Sequence, residues 1–304
     1  MPRAWILVDG QALLGSPLAF FDQVLPGPRE AYQSQYRRAR SALEKGAFDP
    51  RTSLFAQQGS QAIGLAIAAR SEEQQLEIIA VRQDQQRQGL GRALLQGVLE
   101  AARAQGARRL TAQAVSSANL AAVRLLESQG FAGRPQGSLR LRRSLAGPLP
   151  QVSAPEGYQL RPLRAKEEVA WVELKNACFP EDRPWTLEDF GKEFLEAPFC
   201  EYSRIFVASR GEELAGTASA WEVDLGEGPV GLIHWVGVRP EHRGKGLGEA
   251  LNALALHELA RRGYPDAWLN TSRERRAAVR LYEKMGFALH RELYRYELDL
   301  KPAR

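Results

Sequence analysis

Two stretches of this chain repeat each other, and that limits its fold more than any other feature. Val81 to Gly91 aligns without a gap on Val238 to Gly248 at an offset of 157, and Ala93-Leu94 then match Ala250-Leu251. Further on, Ala121, Ala122, Val123, Arg124, Leu125, Glu127, Gly130 and Phe131 match Ala277, Ala278, Val279, Arg280, Leu281, Glu283, Gly286 and Phe287 at an offset of 156. Two blocks that keep order and spacing imply a duplicated unit. The period is too long for a solenoid repeat, so the chain reads as two domains of one fold, in keeping with 304 residues at about 150 per domain. Gly147, Pro148, Pro150, Pro155 and Gly157 break any regular element between the copies. The expected domains are therefore 1–147 and 156–304.

Composition narrows the class. Apolar residues at 44% and charged residues at 25% are ordinary for a soluble globular protein. No run approaches the roughly 18 apolar residues of a membrane span, and the opening Met1-Pro2-Arg3-Ala4-Trp5 does not read as a secretory leader. Cys178 and Cys200 offer neither a disulfide framework nor a metal-ligand spacing. The expectation is a cytoplasmic protein without membrane or metal. Residues 1–150 carry a net charge of +8 and residues 151–304 a net of −3. Only Arg134, Arg140, Arg142 and Arg143 cluster, and no basic stretch is interleaved with aromatics, which argues against a nucleic-acid platform.

Each copy alternates strand and helix patterns, an α/β (α+β) reading. In the second copy Tyr158–Leu163 is expected as a first strand and Ala165–Cys178 as a helix. Thr186 with Asp189 suggests a helix cap, with Leu187, Phe190 and Phe194 as the apolar face behind it. Strands follow at 205–209, 213–223 and 230–238, then a helix from Leu247, a strand at 267–271, a helix at 274–285 and a last strand at 294–300. The first copy keeps this order after an atypical beginning, with Tyr32, Tyr36, Ala39 and Leu43 on one helix face.

The segment strand–Arg243-Gly244-Lys245-Gly246-Leu247-Gly248–helix is an anion site in outline. Glycines let backbone N–H groups turn inward, and the helix aims its positive end at the loop. A diphosphate fits there. The loop lacks the Gly-Lys-Ser/Thr ending of a Walker A motif and the spacing of a dinucleotide fold. With Gln86-Arg87-Gln88-Gly89-Leu90-Gly91 in the first copy, it resembles the acyl-coenzyme A loop of the GNAT superfamily of N-acetyltransferases. Ala277 to Phe287 is similar to that family's second signature. The resemblance is most secure over 60–132 and 205–300, in the manner of tandem two-domain members.

The resemblance implies two tandem domains, each a mixed, mostly antiparallel twisted sheet flanked by helices, whose fourth and fifth strands part to admit acetyl-CoA. Backbone groups around Val236 and Val238, and around Val81 in the first copy, would meet the pantetheine arm. Backbone amides of Arg243, Gly244, Lys245, Gly246, Leu247 and Gly248, and of Gln86, Arg87, Gln88, Gly89 and Gly91, would hold the diphosphate. Tyr282 falls on the tyrosine that donates a proton to the leaving sulfur; the alternative is a packing tyrosine. Tandem members place a glutamate on the fourth strand where this chain has Leu232. His234, two residues on and on the same strand face, is the candidate base, with Glu222 and Asp224 in reserve; a packing histidine is the alternative. His242 and His257 read as non-catalytic.

The first copy differs in a specific way. Leu126 stands at the place of Tyr282, and Glu77 at that of His234. It is expected to keep the loop geometry without being the main catalyst. The acceptor amine is not legible. A small-molecule primary amine, a protein N-terminus or lysine, and a non-catalytic acyl-CoA sensor are the competing functions. Phe179, Glu181, Asp182, Trp185, Trp221 and Glu222 are candidates for the acceptor entrance.

Overall fold

In the computed structural model, residues 5–69, 73–197, 201–224 and 228–300 are described; Cys200 lies outside them. The chain runs β1 (Ile6–Asp9), α1 (Pro17–Val24), α2 (Gln33–Glu44), β2 (Leu54–Gln58), β3 (Gln61–Ala69), β4 (Gln74–Val81), α3 (Leu90–Ala104), β5 (Arg109–Ser116), α4 (Leu120–Ser128) and β6 (Ala132–Ser144). It continues β7 (Gln159–Pro162), α5 (Glu168–Cys178), α6 (Leu187–Phe190), β8 (Ile205–Arg210), β9 (Glu213–Asp224), β10 (Pro229–Val238), α7 (Leu247–Arg261), β11 (Asp266–Ser272), α8 (Arg276–Lys284) and β12 (Ala288–Asp299).

The compact units do not follow the expected cut between 147 and 156. One unit holds the chain up to Ser138 together with the chain from Arg291 onward; the other holds Leu139–Asp224 and Gly228–His290. In the first unit the strand order is β1-β2-β3-β4-β5-β12, with β12 antiparallel to β5 from Leu293↔Ser116 to Asp299↔Arg109. In the second it is β6-β11-β10-β9-β8-β7. The last strand of each sequence copy thus completes the sheet of the other. The apolar residues explain the exchange: Tyr296 and Leu300 are buried with Leu110, Leu126 and Phe131, while Leu141 and Leu145 are buried with Leu256, Leu269 and Met285. An internal repeat cannot show which sheet its final strand joins.

The clustered arginines serve this second sheet. Arg140 Nε donates to Asn270 Oδ1 at 2.9 Å and Arg142 Nη2 to Asp266 Oδ2 at 2.7 Å, fixing β6 beside β11. Arg143 donates to the carbonyls of Met285 and Pro148.

In the second unit the sheet carries helices on both faces. On one side α7 and α8 bury Leu251, Leu256, Tyr282 and Phe287 against Phe206, Ala218 and Ile233. On the other, Trp171, Leu174, Phe190 and Phe194 cover Val207, Trp221 and Leu232. Thr186 and Asp189 form the reciprocal cap expected of them. The helix behind it is shorter than its apolar spacing suggests: after four residues it widens into a π-turn over Gly191–Leu195, which leaves Leu187 52% exposed while Phe190 and Phe194 are buried.

Candidate active site

The cleft begins where a ladder stops. β10 pairs in parallel with β11 through Gly231↔Ala267 and Leu232↔Trp268, although the strands run on to Val238 and Ser272. On its other edge β10 follows β9 to His234↔Ser219, slips, and resumes at Gly237↔Thr217. The slip is a β-bulge at Trp235, whose φ is +48°. A bulge bends its strand and re-aims side chains. Here Trp235 packs with the α5–α6 cluster and Val236 with the α7–α8 cluster. The first unit repeats the device: β4 pairs with β5 from Gln74↔Leu110 to Leu76↔Ala112, and a register shift against β3 brackets Glu77.

Both glycine loops take the expected form. Gly244 and Gly246 have φ of +78° and +82°, and Gly246 is the N-cap of α7 without a side-chain cap. Helix-opening N–H groups have no intrahelical acceptor, so those of α7 face the loop as ready donors. In the first copy Gly89 caps α3 in the same way at φ +85°. Arg87, in place of Gly244, holds φ +64°; a non-glycine residue there costs roughly 1–2 kcal/mol. The third glycine has a different task. A Cβ on Gly248 would meet Leu281 Cδ2 at 3.2 Å, and one on Gly91 would meet Leu125 Cδ2 at 3.6 Å. These glycines let α8 and α4 close on the helix after the loop.

The charged loop side chains point to structural duty. Arg243 Nε donates to the Val238 carbonyl at 3.1 Å, and Gln86 Nε2 donates to the matching Val81 carbonyl at 3.1 Å. Arginine and glutamine serve equally because either supplies the N–H that ties loop to strand end. Lys245 Nζ donates to Tyr158 Oη at 3.1 Å, Tyr158 Oη lies 2.7 Å from His242 Nδ1, and His242 Nε2 lies 3.3 Å from Glu213. Glu213, Glu241 and His242 offer ligand atoms within 4.8 Å of one another. With its ring committed to Tyr158 and Glu213, His242 reads as a support for the loop. His257 contacts the Pro150 carbonyl at 3.0 Å. We expect Tyr158→Phe to raise the KM for acetyl-CoA several-fold with kcat unchanged, since it removes the tether of Lys245 and leaves the reacting end alone; steady-state kinetics checks it.

Tyr282 lies in the α7–α8 cluster, which also takes in Val236 and Val238, its ring edge-on to Phe287 at 5.9 Å. Burial pushes its phenol up to about 12, while the nearby Arg275 charge acts in the opposite direction. A phenol so placed stays protonated at any working pH, as an acid must. Leu126, its counterpart, is buried in the first unit's core and offers no proton.

His234 lies on the other face. Its Nε2 donates to Glu193 Oε1 at 2.8 Å, and Trp235 Nε1 donates to the same oxygen at 3.2 Å. The His234 hydrogen bond, opposed by burial, holds the Glu193 carboxyl below the usual range. Leu232 is buried beside Trp221 and Trp268, with no carboxylate in its place. Of the reserve residues, Glu222 accepts from the Tyr264 hydroxyl. Among the entrance candidates, Phe179 and Trp221 are core residues. Trp185 packs edge-on to Trp235 at 4.5 Å, Asp182 lies 3.9 Å from Lys175, and Glu181 lies 3.5 Å from Arg275. Glu193 and Trp235 are absent from the sequence reading, and Tyr158 enters it only as a strand residue; nothing in a Gly-Lys-Glu stretch announces a π-turn.

In the first unit Glu77, the counterpart of His234, is sealed. Arg38 Nε donates to it at 2.7 Å and Gln75 Nε2 at 2.5 Å, while Arg38 Nη2 reaches the Gln113 carbonyl at 2.7 Å. Arg38 therefore spans β4 and β5 just where they part. We expect Glu77→Gln to leave turnover within about twofold and to lower stability by about 1 kcal/mol, since a neutral amide replaces the carboxylate that accepts from the half-buried Arg38. Paired kinetic and melting measurements check both.

A tandem sheet-and-helix fold with a parting strand pair and an uncapped glycine loop in each copy defines an acyl-CoA-dependent transferase. The chain matches the Acetyltransferase (GNAT) family over residues 19–131 and 169–287, so it belongs to that family and is an N-acetyltransferase. It is 35% identical over 228 residues to the mycothiol acetyltransferase of Thermomonospora curvata, covering 73% of this chain and 71% of that one. With the protein of the same name from Acidothermus cellulolyticus it shares 35% over 225 residues, covering 69% and 67%. Among solved structures, a GCN5-related N-acetyltransferase from Sphaerobacter thermophilus aligns at a TM-score of 0.59 with 18% identity, covering 100% of this chain and 98% of that one. A tandem GNAT protein from the clavulanic acid pathway aligns at 0.56 with 17% identity, covering 99% of each. Both show the same tandem fold. No helix among the described residues is long and apolar enough to cross a membrane.

Proposed function

We propose that the chain transfers the acetyl group of acetyl-CoA directly to the primary amine of a small molecule, and that the second copy does the chemistry. The observation that carries this reading is the Tyr282 phenol. It is buried in the cluster that takes in Val236 and Val238, and its ionisation responds to burial and to Arg275, not to a hydrogen-bonded partner. A donor kept protonated and uncommitted is what a departing thiolate needs.

The steps follow from the residues. Backbone N–H groups of the loop and of the first turn of α7 hold the diphosphate, helped by the helix dipole. The bulged stretch of β10 around Val236 meets the pantetheine arm and polarises the thioester carbonyl, where an N–H aimed at the developing oxyanion is worth several kcal/mol. The acceptor amine attacks that carbon and gives its proton to His234. The carbon–sulfur bond breaks, and the sulfur takes the Tyr282 proton. Cys178 offers no competing acyl-enzyme route: burial pushes its thiol up to about 11, leaving little thiolate at neutral pH.

The relatives named mycothiol acetyltransferase favour a small-molecule acceptor over a protein one. The test is free-thiol release from acetyl-CoA against small primary amines, lysine peptides and peptides with free N-termini. Release with a small amine alone is expected. Release confined to peptides overturns the acceptor class, and binding without release to any acceptor overturns the direct-transfer reading.

A further inference from the structure

We propose that Glu193 is a positioning residue for the transfer: the π-turn after α6 delivers its carboxylate to His234 Nε2, which fixes the ring and leaves Nδ1 as the proton-accepting atom. This rests on the reading of His234 as the base.

Three features of the fold converge on that contact. The turn itself is rigidly seated. Phe190 and Phe194 flank Glu193 and are 1% and 0% exposed, with their rings 5.3 and 4.9 Å from that of Trp171. A π-turn inserts one residue into a helix and is found often at functional sites; here it decides which side chain of the segment reaches β10. The bulge makes the complementary half. At φ +48°, Trp235 breaks the strand alternation, so the neighbouring side chains of His234 and Trp235 both reach one carboxylate oxygen, at 2.8 and 3.2 Å. Strain of this kind is retained where surrounding structure enforces it, and Trp235 is enforced from several sides. Trp185 packs edge-on at 4.5 Å, Phe179 likewise at 5.9 Å, and the Lys175 ammonium lies 5.5 Å from the ring. Finally, Leu232 leaves the strand without a carboxylate of its own. The anionic partner comes from a different element and acts through the imidazole. A carboxylate on one ring nitrogen sets the tautomer and strengthens the other as a base.

The charged groups of the elements packed here are Lys192 and Glu193 on the turn, Glu168, Glu173 and Lys175 on α5, Glu188 and Asp189 on α6, and Glu213, Glu222 and Asp224 on β9. Lys192 is bonded to Glu188 at 2.5 Å, Lys175 lies against the Trp185 and Trp235 rings, and Glu222 is bonded by Tyr264. Among the described residues, the carboxylate bonded to His234 is that of Glu193.

The test uses the full chain with Glu193→Gln, Glu193→Asp and His234→Gln. Glu193→Gln is expected to lower kcat about tenfold, with the KM for acetyl-CoA unchanged. Nitrogen NMR of His234 is expected to lose its Nε2–H tautomer preference in Glu193→Gln. Glu193→Asp should recover part of both effects. If His234→Gln abolishes turnover while Glu193→Gln leaves kcat and the tautomer unmoved, the positioning role is overturned and the base stands. If His234→Gln retains full turnover, the base falls and the proposal with it.

Discussion

Replacing Tyr282 by phenylalanine should cut kcat by about two orders of magnitude or more and leave the KM for acetyl-CoA within about twofold. Loss of a general acid typically costs 10²–10⁴ in rate. The substitution isolates that term. The ring is kept, and with it the contact to Phe287 and the burial beside Met285 and Leu251. The melting temperature should therefore hold, and the change is read as chemistry alone. Because the phenol is pushed up to about 12, it stays protonated through neutral and moderately basic pH. The basic limb of the wild-type profile should accordingly survive in any residual activity of the variant. Steady-state thiol release across pH, with a thermal melt in parallel, checks the set. A kcat within twofold of wild type would return Tyr282 to the packing residues.

The second large effect concerns the loop. Gly246→Val places a β-branched side chain at φ +82°, a region such residues rarely occupy. The backbone must leave that conformation or carry the strain, and either outcome disturbs the N–H groups that hold the diphosphate. The KM for acetyl-CoA in the turnover assay is expected to rise about 10²-fold, with stability lower by about 1–2 kcal/mol. Gly89→Val at the matching N-cap of α3, at φ +85°, should show the same loss of stability and no comparable change in turnover. That pair separates the two copies with one substitution type. Equal kinetic damage from Gly89→Val would mean that the first copy carries turnover as well.

Much of this architecture is legible in the residues. The repeat reveals two copies, the loop glycines reveal a left-handed turn between strand and helix, and the pair Thr186–Asp189 reveals a helix start. These signals are local: each depends on the backbone needs of a few adjacent positions. What escapes is set by tertiary context. The task of the Arg243 side chain emerges only when Gln86 is seen making the same bond to a strand carbonyl. Glu193 escapes notice because a π-turn has no composition signature, and its partner is 41 residues away. Glu77 is chemically competent as a base, and only the fold shows Arg38 closing over it. The final strands could not be allotted from the repeat, since β6 and β12 occupy equivalent places in the two copies.

That exchange of strands has a practical meaning. A polypeptide started at residue 156 would lack β6, leaving β11 as a bare sheet edge, and would trail a β12 whose hydrogen-bonding groups have lost β5. An uncovered edge invites pairing with whatever chain is at hand. The first copy has Leu126 at the place of Tyr282 and Arg38 closed over its Glu77, yet its β5 still carries the last strand of the chain. Dividing the chain at its internal repeat therefore means redesigning a sheet, not choosing a cleavage point.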